Sequence, residues 1–260
     1  MDTKKIIKKT GKYPFTIDAY LTDFKGRAML PMMGGFMLQA AAKHAEERGF
    51  GYSSMTSKKR AWVLSRLAVD MFEYPKNDTV LTVKTWIFNV NRLFTERHFA
   101  FEDSAGNVMG FARTTWASID METRKPVNLL ELYGLTDYVR EEQEAPIEGL
   151  TKIPILKDSF ETASEFTVKY SDIDINRHMN SMKYIEHFID VFDINLFKDK
   201  EIRRIEINYI AEAGYGAHLK ILQRKENDSC ILEMKNGETN ICSARVKWII
   251  YSAKTTKTRG

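Results

Sequence analysis

The sequence predicts an α+β fold made of two copies of one plan, each an antiparallel sheet wrapped around a single central helix. Three observations lead there. In each half one helical pattern precedes a run of strand patterns. The openings of the halves align, "FTIDAYLTDFKGRAM" (15–29) against "FTVKYSDIDINRHMN" (166–180). Phe15 then meets Phe166, Asp23 meets Asp174, Lys25 meets Asn176 and Arg27 meets His178. Between the halves lies "VREEQEAPIEGLTKIP" (139–154), acidic, with two prolines and no apolar period, which reads as a linker.

Taken in order, the first helix carries a stripe of Gly34, Leu38, Ala41, Ala42 and Ala45, widened by Met33, Met37 and Ala40. A helix so small and apolar over a broad arc needs a sheet around it. "WVLSRLAVDMF", "TVLTVKTWIFNV", "FTERHFAFED" and "GFARTTWASID" supply four strands, with Gly106 in a hairpin turn. In the second half Ile185, Phe188, Ile189 and Phe192 recur at helical spacing, and Lys183, Glu186, His187 and Asp190 take the other faces. Asn180 or Ser181 suits the cap. "RRIEINYIAEA", "HLKILQRK", "CILEMK" and "ICSARVKWIIY" follow as strands, turned by "KENDS" and "KNGET". This is the hotdog arrangement in duplicate. The expected units are an N-terminal hotdog (1–138), a linker (139–156) and a C-terminal hotdog (157–260) that carries the chemistry.

Bulk properties narrow the function. With 43% hydrophobic and 28% charged residues the chain has the composition of a soluble globular protein. A net charge of +4 without a basic stripe speaks against nucleic acid as a partner. No apolar run reaches the ~18 residues of a membrane span. Cys230 and Cys242 are too few for a disulfide framework or a metal cluster, which favours a reducing cytoplasm. The N-terminal lysines read as a solvated end without the apolar core of a secretory signal, and "SAKTTKTRG" as a polar tail.

The segment "SDIDINRHMNSMKYIEHFID" (171–190) concentrates the polar chemistry. Asp172-x-Asp174-x-Asn176 begins like a calcium loop, but the glycine position holds Arg177 and the bidentate glutamate position holds Lys183. His178 lacks Cys or His partners at zinc spacing. Asp174 and Asn176 could simply satisfy backbone donors in a loop. Two points favour a working site. His178 precedes a helix start, whose orphan N–H groups suit a developing oxyanion, and the first copy holds Lys25 and Arg27 instead, as a degenerate site would.

At this point the sequence resembles the acyl-acyl-carrier-protein thioesterases. "DIDINRHMNSMKYIEHFID" is similar to their motif region, "YPKNDTVLTVKTW" and "WASIDMETRKPV" to landmarks of their first hotdog, and "INYIAEAGYG" to their second conserved block. The resemblance implies catalytic roles for Asp174, Asn176, His178 and Glu212. Some family members carry a cysteine just after the glutamate; here it is Ala213, so no thiol nucleophile is expected. Glu212 and His178 would activate water, Asn176 would aim it or the thioester, Asp174 would support the loop, and N–H groups at the helix start would polarise the carbonyl. An anhydride route through Glu212 stays open. No metal or organic cofactor is required.

The resemblance further implies acyl carrier protein as partner, with Lys58, Lys59, Arg60 and Arg177 as candidate docking cations for that acidic protein. It places the acyl chain in the first half, against the Met-rich "MLPMMGGFML", with Met29, Met33, Met37 and Asn180 as candidate substrate-binding residues. Solvated-loop and ordinary helix-core readings of these residues stand beside the functional ones. Pairing of two chains into a homodimer through sheet edges is left open. Acyl-CoA thioesterases are the nearest rival, though mostly single hotdogs. A hotdog hydratase would place Pro after the Asn and the His one residue later. A non-catalytic acyl-binding regulator would need a DNA-binding module for which the dozen residues before the first strand leave no room.

Overall fold

The computed structural model of the chain describes residues 8–132, 134–156 and 160–250; the outermost N-terminal lysines and the polar C-terminal tail lie outside them. The first half runs β1 (Thr10–Thr16), α1 (Leu30–Glu46), α2 (Tyr52–Ser57), β2 (Arg60–Met71), β3 (Val80–Val90), β4 (Thr95–Glu102) and β5 (Val108–Asp120). The second runs β6 (Glu161–Thr167), α3 (Ser181–Ile189), α4 (Leu196–Asp199), β7 (Lys200–Tyr209), β8 (His218–Lys225), β9 (Ser229–Asn236) and β10 (Thr239–Ile250).

All ten strands join one sheet in the order β1-β3-β4-β5-β2-β7-β10-β9-β8-β6. Read from either edge inward the two halves have the same order, so each is a hotdog and the two meet at a β2–β7 seam. That seam is antiparallel, with Arg66 opposite Asn208 and Asp70 opposite Arg204. The strand alternation seen in sequence places one set of side chains against the helices. Leu67, Val69, Leu81, Val83, Phe99 and Phe101 from the first half share one core with Ile205, Ile207, Leu219, Leu232 and Val246 from the second.

The helices cross inside this wrap. α3 approaches α1 closely at Gly34, where a Cβ would meet Met182 Sδ of α3 and the methionine side chain would have to shift. Asn180 caps α3, its Oδ1 accepting from Met182 N at 2.8 Å. Phe192 falls beyond the end of α3 and packs on Trp248 with Phe197. Gly106 sits in the β4–β5 turn at φ +85°.

One expectation changes. The strand that contains Ile207 ends at Tyr209, so Glu212 lies in the loop after β7 rather than on a strand. The linker segment, for its part, packs on the sheet. Ala145 and Ile147 are buried against Trp86 and Ala100, and Ile153 and Leu156 against Leu222 and Ile231. Its missing period reflects an irregular strap held by side chains of the sheet's outer face. Trp86 Nε1 donates to Gln143 O at 2.6 Å, Arg113 Nη2 to Ala145 O at 2.5 Å, and Leu156 N to Glu233 Oε1 at 2.5 Å.

Candidate active site

The loop before α3 is a copy of the loop before α1 in backbone, not in chemistry. Thr22 bridges Ala28 in the first and Ile173 bridges Met179 in the second. Asp23 Oδ1 accepts from Lys25 N at 2.8 Å, and Asp174 Oδ1 from Asn176 N at 2.8 Å. The tight turn needs a left-handed residue: Gly26 supplies it at φ +68°, and Arg177 takes the same conformation at φ +64°. Asp174 thus ties the turn that presents Asn176, Arg177 and His178. Asn176 itself is exposed.

Each loop is stitched to the loop after the seam strand of its own half. Arg27 bridges Lys76, and His178 bridges Gly214. By that register Tyr74 occupies in the first half the place that Glu212 occupies in the second. In the first copy Tyr74 is buried with its hydroxyl on Ile202 O at 2.8 Å, the Arg27 guanidinium lies 5.7 Å from its ring, and Arg27 pairs with Glu201 at 2.5 Å. In the second copy His178 Nε2 approaches Glu212 Oε2 at 3.4 Å, with both side chains partly open to solvent. Met179 N donates to Ala213 O at 2.8 Å and Tyr184 OH accepts from Ala213 N at 3.3 Å, which holds the Glu212 loop on the His178 loop.

A cavity of about 710 Å³ opens at this pair. Its floor is formed by the second half of α1, with Leu38, Ala41, Ala42 and Ala45. Its walls come from Phe50, Met55, Trp62, Leu64 and Trp116, and its mouth carries Asn176, Arg177, His178 and Glu212. The polar cluster at the mouth thus comes from the second half and most of the apolar lining from the first. In the pseudo-equivalent region of the second half, Trp248 packs edge-on against Phe192 and Phe197, at 4.9 and 5.2 Å between ring centroids.

Two family models match, that of the acyl-ACP thioesterase N-terminal domain over residues 8–133 and that of the C-terminal domain over residues 156–250. The chain belongs to the acyl-ACP thioesterase family. A crystal structure of an acyl-ACP thioesterase from Bacteroides thetaiotaomicron is 38% identical, covers 93% of this chain and 98% of that one, and superposes with a TM-score of 0.87. The 12:0-ACP thioesterase from Umbellularia californica shares the fold, with a TM-score of 0.81 at 19% identity over 94% of this chain and 95% of that one. Oleoyl-acyl carrier protein thioesterase 2 of Arabidopsis thaliana is 24% identical over 87% of this chain and 66% of its own length. The Arabidopsis oleoyl thioesterase 1 match covers 77% and 60%. The chain thus spans less than two thirds of the length of these curated relatives.

Within this acyl-ACP thioesterase fold the residues singled out from sequence fall into three groups. Asp174, Asn176, His178 and Glu212 come together at the cavity mouth. Arg60 and Arg177 also line the cavity, whereas Lys59 turns to Glu122 at 2.7 Å and Lys58 ends α2. Met33 and Met37 are fully buried in the core, Met29 precedes α1, and Asn180 is spent on the α3 cap; none of these four lines the cavity. The reason is the crossing of α3, which packs against α1 at Gly34 and leaves the later turns of α1 for the cavity. Arg124 was missed. It sits at φ +57° in the turn after β5 and donates through Nη2 to Glu212 Oε2 at 2.6 Å. The sulfur side of the problem is plain: Cys230 and Cys242 are buried in β9 and β10, and burial pushes the Cys230 thiol up to about 11 and Cys242 well above its usual range.

Proposed function

We propose that the protein hydrolyses fatty acyl thioesters carried on acyl carrier protein, releasing the free acid and the carrier. The observation that carries this reading is the 3.4 Å approach of His178 and Glu212 at the mouth of an apolar cavity of about 710 Å³. A thioester carbonyl is already electrophilic and its thiolate leaves readily, so hydrolysis needs an activated water and a place for the oxyanion. His178 takes the proton from water while Glu212, anchored by Arg124, orients the ring; a positioned base contributes on the order of 10²–10⁴-fold. Asn176 aims the water or the thioester with its amide, and Asp174 keeps the turn closed.

Of the first donors of α3, Met182 N–H is taken by Asn180 Oδ1 and Lys183 N–H by Asn180 O. Ser181 N–H is then the donor left to face the carbonyl, and Ser181 lines the cavity. One such donor is worth on the order of 10²–10³-fold. The acyl chain lies over Ala41, Ala42 and Ala45. Arg60 and Arg177 beside the mouth suit an acidic carrier, and two buried, unpaired thiols suit a reducing compartment.

The test is turnover of a ladder of acyl-carrier-protein and acyl-CoA thioesters by the wild-type protein and by His178→Ala and Glu212→Gln. Each variant should lose on the order of 10²–10⁴-fold in kcat with an unchanged thermal midpoint. Full activity in either variant would sink the assignment, and preference for CoA thioesters would replace the carrier.

A further inference from the structure

The inner face of the first-half sheet is largely apolar around α1. Thr85 of β3, Thr95 and Arg97 of β4, and Thr114 of β5 interrupt it. Arg97 faces Ile87 on one side and Thr114 on the other. It is 6% exposed and lines the cavity. Its Nη1 donates to Thr85 Oγ1 at 3.2 Å and meets His44 Nδ1 at 3.0 Å. His44 Nε2 faces Lys9 O at 3.1 Å. A carbonyl only accepts, so Nε2 carries the ring proton and Nδ1 accepts from Arg97.

Both acceptors of Arg97 are therefore neutral, and among the described residues no carboxylate pairs with it. Its Nε and Nη2 have no hydrogen-bond partner among those residues either. Burial and the charge of Arg48 pull the guanidinium down to about 9, which still leaves it cationic at neutral pH. Three neighbouring polar groups of the wall are occupied: Trp62 Nε1 on Phe50 O at 2.8 Å, Trp116 Nε1 on Thr114 Oγ1 at 2.8 Å, and Thr95 Oγ1 on Asn89 O at 3.0 Å. A plain alkyl chain would lay hydrocarbon against a buried cation with donors to spare, an unfavourable contact. A chain with an oxygen at that depth would satisfy it.

We propose that the cavity selects acyl chains bearing a hydroxyl or carbonyl oxygen along their length, and that Arg97 is the residue that reads it. This rests on the reading of the cavity as the acyl site. Arg97 stands on β4, three strand spacings from β7, which is about 14 Å. The oxygen that accepts from it is accordingly well down the chain, not beside the thioester.

Trp62 and Trp116 in the wall supply a readout that needs no turnover. Plain fatty acids of graded length are titrated against intrinsic fluorescence to find the length that binds best. A series of that length with a hydroxyl or oxo group at successive carbons, together with the matching dicarboxylate, is then compared. One position should bind at least about tenfold tighter than the plain acid, the range of a hydrogen bond to a charged donor. Arg97→Met should erase that preference and leave plain-acid binding equal or stronger. Plain acid bound as tightly as every oxygenated chain by the wild-type protein overturns the proposal without recourse to a variant. A dicarboxylate preferred over all hydroxy and oxo chains replaces the proposed oxygen with a terminal anion and likewise overturns it. Absence of thioester hydrolysis with the binding preference intact would instead strike the catalytic reading alone.

Discussion

Ala45→Leu is a direct probe of how the cavity measures its substrate. Ala45 lies in the last turn of α1, eleven residues past the Gly34 contact with α3, which is about 16 Å along the helix at 1.5 Å per residue. There it packs with Phe50, Met55, Ile87, Leu129 and Leu135 at the inner end. Leucine adds three carbons in the path of the chain and so displaces the last three methylenes. At about 0.8 kcal/mol for each methylene kept out of the apolar pocket, the loss is about 2.4 kcal/mol, or roughly 60-fold. The assay is kcat/KM on a ladder of saturated acyl-carrier-protein thioesters. The longest good substrate should fall by that factor, while chains shorter by three carbons keep their rate. The new side chain enters open volume, so the thermal midpoint should hold. An equal loss at every length, or none at any, would refute the placement of the chain end at Ala45.

Three other outcomes are expected. Arg204→Met should destabilise by up to about 3–5 kcal/mol in urea unfolding, because Arg204 joins Asp70 at 2.5 Å and Glu206 at 2.6 Å; Asp70 would lose its cation in the seam, while Glu206 would keep Arg245 at 3.5 Å and Thr151 at 2.7 Å. Reversal of Arg60 and Arg177 to glutamate should raise KM for carrier-protein substrates and spare short soluble thioesters; equal effects on both would argue against docking there. Burial, with Arg97 and Arg48 nearby, pushes His44 down to about 2 from its ordinary 6.5. The unfolded chain then takes up a proton that the folded one refuses, so stability should fall as pH drops below about 6.5, by up to about 1.4 kcal/mol per pH unit from this residue. His44→Gln should remove that part of the slope in denaturant titrations at graded pH.

What the sequence made legible was whatever depends on short range. The doubled loop, the Asn180 cap, the hairpin at Gly106 and the strand alternation are local patterns, and each has its counterpart in the structure. The positive φ of Arg177 is foreshadowed by Gly26 in the aligned copy. What stayed hidden depends on packing between distant segments. Arg124 reaches Glu212 from the other half, 88 positions away. The methionine stripe of α1 looked suited to a lipid, yet which turns of a helix face a cavity is decided by where a second helix crosses, and Gly34 alone hinted at that crossing. The strap from Val139 to Leu156 has no period because it follows the side chains of the outer face and not a ladder of its own.

The packing of Phe192 and Phe197 on Trp248 bears on stoichiometry. Two identical chains paired about a true twofold would have to carry two equal pockets and two equal mouths. Joined in one polypeptide, the copies are released from that equality. One surrenders its hollow to tight packing and lends its loop; the other surrenders its loop and keeps the hollow. A titration with a bound fatty acid should therefore saturate at one equivalent per chain, and neither half alone should hold both the grip on the chain and the means to cut it.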